Sequence, residues 1–480
     1  MKIQHSTPAW ERRHLAGELT GLLMPDRPAG CRRSQGSVLI IVLWVCIGLV
    51  SIALYFANQM TYELRAADNR VSGVMADQAI EGAARYIGLA LQNYATNGAT
   101  PDNTQFKCEA VAVGDSKFWL IGRDPNEGNS TEPYFGLVDE GAKLNLNNVS
   151  TNVFQYLPNV TSDFADAIMD WRGTNGVVSL DYTSLGFAPK YAPFETVDEL
   201  RLVYGATVDM LAGEDLNRNG VLDANEKDVN SSGELDAGLF DYVTVYTREP
   251  NFHADGTTMT NINSTTLNIS QLRSLFQNAG TSSATDMANK FYRYIHPNQQ
   301  NPSQGVININ GELDLALQLN KIGMSSDDFA KIANNLTTKT NTYFRNRVNV
   351  NTARYEVLVA MLMGANIDQS SAESAVQSLI SYRQQNPNNL GSIAWVIDAL
   401  GNQSPTLKTM ATKDWWTTHS YQFAADIAAV GPFGRGYRRV KFIFDVSDGS
   451  PKILYRQDLS RLGWALGEKA RENLVAKNTQ

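Results

Sequence analysis

This chain has little cysteine and little histidine, and each shortage narrows what it can be. Three cysteines occur in 480 residues. Cys31 sits in a basic N-terminal stretch and Cys46 in an apolar run, which leaves Cys108 alone in the rest of the sequence. No intramolecular disulfide can be built there. Of the five histidines, His5 and His14 are near the start. His253, His296 and His419 are far apart and are expected at the surface or in satisfied core positions. HExxH, GxSxG and Walker GK signatures do not occur, so the chain does not read as an enzyme. Acidic pairs such as Asp139-Glu140 read as solvated turns, and Trp415-Trp416 as core or interface. Positive charge is also short. The formal net charge of -8 makes the chain a poor partner for nucleic acid. Otherwise the composition, 43% hydrophobic and 19% charged, is that of a globular protein long enough for two or three domains.

Charge is also missing locally. Residues 38–57 read VLIIVLWVCIGLVSIALYFA. A run of about 20 apolar residues is long enough to span a bilayer as a helix. Arg32-Arg33 lies just before it, which should hold that end in the cytoplasm. A secretory signal peptidase cuts after the apolar stretch. Here the small residue, Gly36, precedes it. Cutting after Gly36 would remove residues 1–36 as a leader, keep the helix and leave Ser37 first. The junction RRSQG resembles that of type IV prepilin-like proteins. The leader is long, so a start at Met24 or another downstream residue is an open alternative. Abundant Asn, Ser and Thr from about Asn93 onward suit a surface outside the cytoplasm.

Residues 37–97 read as one long helix, apolar all round at first and amphipathic from Met60 to Tyr94. Its inner face is expected to carry Ala66, Ala67, Val71, Val74, Met75, Ala79, Ala83, Tyr86, Ile87 and Ala90, and Asn97-Gly98 to end it. Strand-like runs at 107–113, 118–122 and 134–138 form one block, within residues 98–148. Runs at 421–430, 438–446 and 452–456 form another, within 413–462. The two blocks are expected to pair into one antiparallel sheet. Residues 149–412 then form a mostly helical insertion, and 463–480 a variable tail. The insertion carries an internal repeat. Leu144-Asn145-Leu146-Asn147 and Val348-Asn349-Val350-Asn351 each precede a helix, an aromatic-Arg pair (Trp171-Arg172, Tyr382-Arg383) and a short helix ending in Gly. A third apolar-Asn run is Ile307-Asn308-Ile309-Asn310.

One stretch points to a metal. Residues 215–226 read DLNRNGVLDANE. Asp215, Asn217, Asn219, Asp223 and Glu226 fall at positions 1, 3, 5, 9 and 12 of a calcium loop. Gly220 is at the sharp turn, Val221 offers its carbonyl and Leu222 makes the apolar contact. Oxygen ligands at alternating positions wrap one hard cation. Residues 228–239 repeat the pattern with Asp228, Asn230, Ser232, Gly233, Glu234 at the carbonyl position, and Asp236. Position 12 there is Leu239, and Asp241 or Glu214 could supply the missing carboxylate. One Ca²⁺ site is expected and a second is possible. No helix pair flanks the loops, which favours a structural role over a sensor.

These segments together resemble the K-type minor pseudopilins of the type II secretion system. The matching elements are SVLIIVLW after Gly36, VDEGAKLNLN at 138–147, the Asp170-Trp171 helix end, and ETVDELRLVYG at 195–205. FDYVTVYT at 240–247, VNVNTARYEVLVAM at 348–361 and HSYQFAADIAAVG at 419–431 follow in order. The resemblance covers roughly residues 32 to 460. It implies an α+β, pilin-like fold: a long N-terminal helix on an antiparallel sheet, with a large helical (SAM-like or helix-hairpin) insertion that binds calcium. It implies cleavage after Gly36 and N-methylation of Ser37 by the prepilin peptidase. It also implies a single-pass anchor in the inner membrane with the C-terminal domain in the periplasm. The implied partners are the I-type and J-type minor pseudopilins and the inner-membrane assembly platform. The implied place is the pseudopilus tip, where the chain initiates assembly and meets exported proteins or the outer-membrane channel. Most pilins carry Glu at mature position 5, and this chain has Ile41 there. A lone carboxylate in the membrane costs a few kcal/mol unless a neighbour compensates it. A subunit with nothing above it does better with an aliphatic residue.

Two other classes are open. A membrane-anchored helix-hairpin-helix DNA-uptake protein needs Gly-rich, basic-flanked hairpins. The candidate hairpins, 159–162 and 364–370, are neither. An anchored extracytoplasmic calcium-dependent hydrolase or lectin lacks a visible catalytic set.

Overall fold

The computed structural model describes residues 35–95, 98–124, 131–173, 180, 182–298 and 306–476. Residues 1–34, Arg32-Arg33 included, lie outside them, as does Asn97. The chain divides into two compact units, one ending at Ala66 and one starting at Ala67.

The first unit is the leading part of helix α1 (Gln35–Tyr94), in which Gly36 and Ser37 are helical. From Val38 to Phe56 its large apolar side chains are exposed, Ile41 and Trp44 among them. Among the described residues, α1 is the one helix long and apolar enough to cross a membrane.

The second unit begins with the rest of α1. Ala76, Ala79, Ile80, Ala83, Ala84, Ile87 and Leu91 form a buried stripe at helical spacing. Small side chains let the helix lie close to a sheet. Its strands are β1 (Val111–Val113), β2 (Ser116–Ile121), β3 (Val138–Asp139), β4 (Gln422–Val430), β5 (Arg438–Asp445) and β6 (Lys452–Asp458). The order is β1-β2-β4-β5-β6, with β3 also on β4, and every pairing is antiparallel. Ala429 pairs with Phe118 and Ile427 with Val440, so the two strand-rich blocks share one sheet. The architecture is α+β and pilin-like. Period-two alternation sends Phe423, Ala425, Ile427, Val440, Phe442 and Phe444 to the helix. All nine residues of β4 are buried, so the opposite face is covered too.

The packed stripe differs from the expected one. Ala66, Ala67, Val71 and Val74 are exposed, and Ser72 and Gly73 are buried. The cause is the GPFGRG turn between β4 and β5. Gly436 has φ +69°, and a Cβ there would stand 2.4 Å from the Gly73 nitrogen. Backbone this close requires a small pair on the inner side and turns Val71 and Val74 outward. The helix also ends at Tyr94, short of Asn97-Gly98. The tail is more than an appendage. Ala465 and Leu466 are buried on Trp119, Ile121, Ala428 and Val430, ahead of a helix at Gly467–Ala476. Without them that apolar face of the sheet would meet water.

The insertion contains three copies of one device, each closed by a two-residue parallel strand pair. Leu144-Asn145 pairs with Val243-Thr244, Thr260-Asn261 with Leu336-Thr337, and Val348-Asn349 with Trp416-Thr417. In each copy the first Asn turns the chain by accepting from the backbone N–H two residues on, at 2.9 Å. The second Asn clamps a distant backbone segment. Asn147 exchanges both bonds with Phe194, and Asn263 holds Ile309 from both sides. Asn351 donates to the Leu390 carbonyl and accepts the Trp395 indole N–H. The middle copy is therefore Thr260 to Asn263. Ile307 to Asn310, expected to be the third motif, is the non-helical segment leading into helix Glu312–Lys321 that this copy clamps at Ile309.

Candidate metal centre

A short helix, Val208–Ala212, ends at Gly213 with φ +64°. Gly213 then bridges to Ala237, and the Glu214 N–H donates to the Asp236 carbonyl at 2.9 Å. A Cβ at Gly213 would stand 2.2 Å from the Asp236 carbonyl oxygen, and one at Gly238 2.2 Å from the Ala212 carbonyl carbon. Only glycine at both positions lets the chain close residues 214–238 into a unit of two loops.

The loops repeat each other's backbone. Position 4 is left-handed in both, Arg218 at φ 58° and Ser231 at φ 57°, and position 6 is Gly220 or Gly233. Asp215 accepts from the N–H groups of Asn219 (2.9 Å) and Gly220 (2.7 Å). Asp228 accepts likewise from Ser232 (3.1 Å) and Gly233 (2.8 Å). Asn217 and Asn219 turn their Oδ1 atoms to backbone N–H groups and both donate Nδ2 to Asp223 Oδ2. Asn230 donates to Asp236 at 2.7 Å. A half-turn of the amide would present oxygen in place of nitrogen.

Closing carboxylates occupy corresponding places. Glu226 accepts from Asn217 and Asp223, both at 3.1 Å. In the second loop Glu214 accepts from Val229 (2.6 Å) and Asp236 (3.1 Å). Asp241, the other candidate for that role, is instead gripped by Arg123 and Arg354. Burial opposes ionisation of Asp241, yet the two guanidiniums hold its carboxyl well below the usual range. Val221 makes the buried apolar contact, while Leu222 is half-exposed.

The first loop is buried and the second is open. Asp215, Asn217 and Asn219 are 2%, 5% and 0% exposed, whereas Asn230, Ser232, Glu234 and Asp236 are exposed. Burial pushes the Asp215 carboxyl up, against the nearby Arg123 guanidinium. Two arginines with no local sequence signal fix the first loop to the sheet. Arg123, just past β2, donates to the Arg218 carbonyl, and Arg439 of β5 donates to the carbonyls of Asn217 and Arg218. Three buried or half-buried carboxylates, two amide oxygens available by rotation and the Val221 carbonyl fit a hard cation of calcium's size. The second loop offers Asp228, Asp236 and the closing Glu214 with one amide, the Ser232 hydroxyl and the Glu234 carbonyl, in a more open setting.

Gly36, Ser37 and Ile41 belong to α1 in the first unit, and the two loops belong to the second. No protein-family model matches this chain, and no curated protein sequence does. A solved structure, the GspK-GspI-GspJ complex of the enterotoxigenic Escherichia coli type 2 secretion system, is similar over 44% of this chain and 78% of that one. Identity is 12% and the TM-score 0.17, a likeness too slight to argue from.

Proposed function

We propose that this protein is a membrane-anchored minor pseudopilin of the K type, a structural subunit rather than an enzyme, placed at the tip of a type II secretion pseudopilus. The observation that carries the reading is the junction at Gly36. A basic stretch ends in Gly, and an uncharged helix follows without interruption and continues as the packed helix of an α+β, pilin-like fold. In this reading the prepilin peptidase cuts after Gly36 and methylates Ser37. Residues 38–57 then cross the inner membrane once and leave the sheet and the insertion in the periplasm. Ile41 and the bulk of the insertion favour a single copy above smaller subunits. Val71, Val74 and Leu89, exposed on the sheet-packed half of α1, would face the I-type and J-type partners. The two loops would bind Ca²⁺ and hold the insertion in shape.

Mass spectrometry of the mature N-terminus tests the junction. A chain starting at N-methylated Ser37, with cleavage lost in Gly36→Glu, is the expected result. A terminus after Ala57 would overturn the reading.

A further inference from the structure

A cavity of about 370 Å³ in the second unit holds a cluster that neither the calcium loops nor the anchor uses. Glu249 opens a short strand, Glu312 is the first residue of the helix Glu312–Lys321, and His419 lies between Thr417 and β4. One ligand atom from each lies within 4.8 Å of the other two. Ligand atoms on a tetrahedral zinc are about 3.3 Å apart, so modest side-chain shifts would close the set.

Two further observations point to a cation. Arg347 is shared between Glu249 (3.0 Å) and Asp414 (2.7 Å), and Glu312 is the third carboxylate within their electrostatic reach. One guanidinium thus serves a cluster of three carboxyl groups. Polar atoms here also lack partners. Glu249 Oε2 and Glu312 Oε1 are buried without a hydrogen bond. Asn251 Oδ1, Thr338 Oγ1 and Ser447 Oγ are unpartnered too, on side chains only 9%, 4% and 6% exposed that line the same cavity. Orphaned buried polar atoms are uncommon and call for a ligand or water.

We propose that Glu249, Glu312 and His419 bind a divalent transition metal of the Zn²⁺ class. Two carboxylates with one imidazole suit a borderline cation, and three protein ligands leave a fourth position open to water in the cavity. The ion cross-links the middle repeat of the insertion to the lead-in of the central strand β4. None of the calcium-loop residues lines this cavity.

The test uses the full chain in detergent, stripped with chelator and then saturated with Ca²⁺ so that the loops are blocked. After exposure to Zn²⁺ and gel filtration, elemental analysis should find one zinc per chain, and Co²⁺ should give a visible d–d spectrum. Glu312→Gln and His419→Gln should each abolish both signals while keeping the calcium-dependent rise in melting temperature. If neither variant folds, anomalous scattering at the zinc edge from wild-type crystals should place the ion between the three residues. Zinc missing from the wild type, zinc retained in folded variants, or a peak elsewhere would overturn the proposal.

Discussion

Arg439 is the largest charged side chain wholly inside the protein, with 0% exposure. It forms a two-point pair with Asp426 on the neighbouring strand through Nε and Nη2, at 2.8 and 2.6 Å; Nη2 also donates to the Arg218 carbonyl, and Nη1 donates to the Asn217 carbonyl. Arg439→Met would leave the Asp426 charge buried and alone, and a broken buried pair costs about 3–5 kcal/mol. Arg438→Met, which removes the exposed pair with Asp77 at 3.5 Å, should cost under about 1 kcal/mol. Chemical denaturation of the two variants checks the contrast. Calcium is tested at the same scale. Affinity should be modest, on the order of 10⁻⁴ to 10⁻³ M. Saturation at about 100 times the dissociation constant then adds roughly 2.7 kcal/mol of stability. Asp215→Ala combined with Glu226→Ala should abolish the calcium-dependent melting rise of the first loop. Glu214→Ala should remove only a second, weaker component. An unchanged rise in the double variant would exclude the first loop as the responsible site.

At the scale of elements, the insertion rests on asparagine clamps. Asn351→Ala would unpair the Leu390 carbonyl and the indole N–H of Trp395, a side chain 1% exposed. Each buried group left unsatisfied costs about 1–3 kcal/mol, so losing both partners should cost roughly 2–6 kcal/mol. Asn308→Ala, at an exposed position, should stay within about 0.5 kcal/mol of wild type in the same denaturation measurement. Equal effects would mean that the two asparagines are not distinguished as clamp and clamped segment. The outer copies were legible because Leu-Asn-Leu-Asn and Val-Asn-Val-Asn alternate cleanly. The middle copy begins with polar Thr260, and the more regular Ile307 to Asn310 drew attention to the wrong segment of the same clamp. The strands at 116–121, 422–430, 438–445 and 452–458 and the backbone repeat of the two loops were also legible, since alternation and Asx/Gly spacing are local signals, whereas of the expected runs 107–113 and 134–138 only Val111–Val113 and Val138–Asp139 are strand. Arg123, Arg439 and the tail's cover of the sheet were not legible. Their partners lie up to hundreds of residues away, and an isolated arginine or a Trp-Ala-Leu run has no period to read. The inner face of α1 was missed for a similar reason, because a glycine turn far along the chain decides which side of the helix packs.

For the whole molecule, the pilin-like core and the insertion are encoded very differently. The core is one helix and a sheet assembled from two ends of the sequence, so its pairing of β2 with β4 closes about 300 residues of chain between them. The insertion folds on its own repeats in that interval. In the reading proposed above, stacking so large an insertion repeatedly along a thin filament is disfavoured. In that reading, Ile41 also lacks the charge that would seat the helix beneath a neighbour. The account therefore requires one copy, above the other minor subunits. Native mass spectrometry of the mature full chain, extracted in detergent after co-expression with the I-type and J-type minor pseudopilins, measures this directly. The predicted species contains one copy of each protein. A complex holding several copies of this chain, or no complex with either partner, would contradict the account.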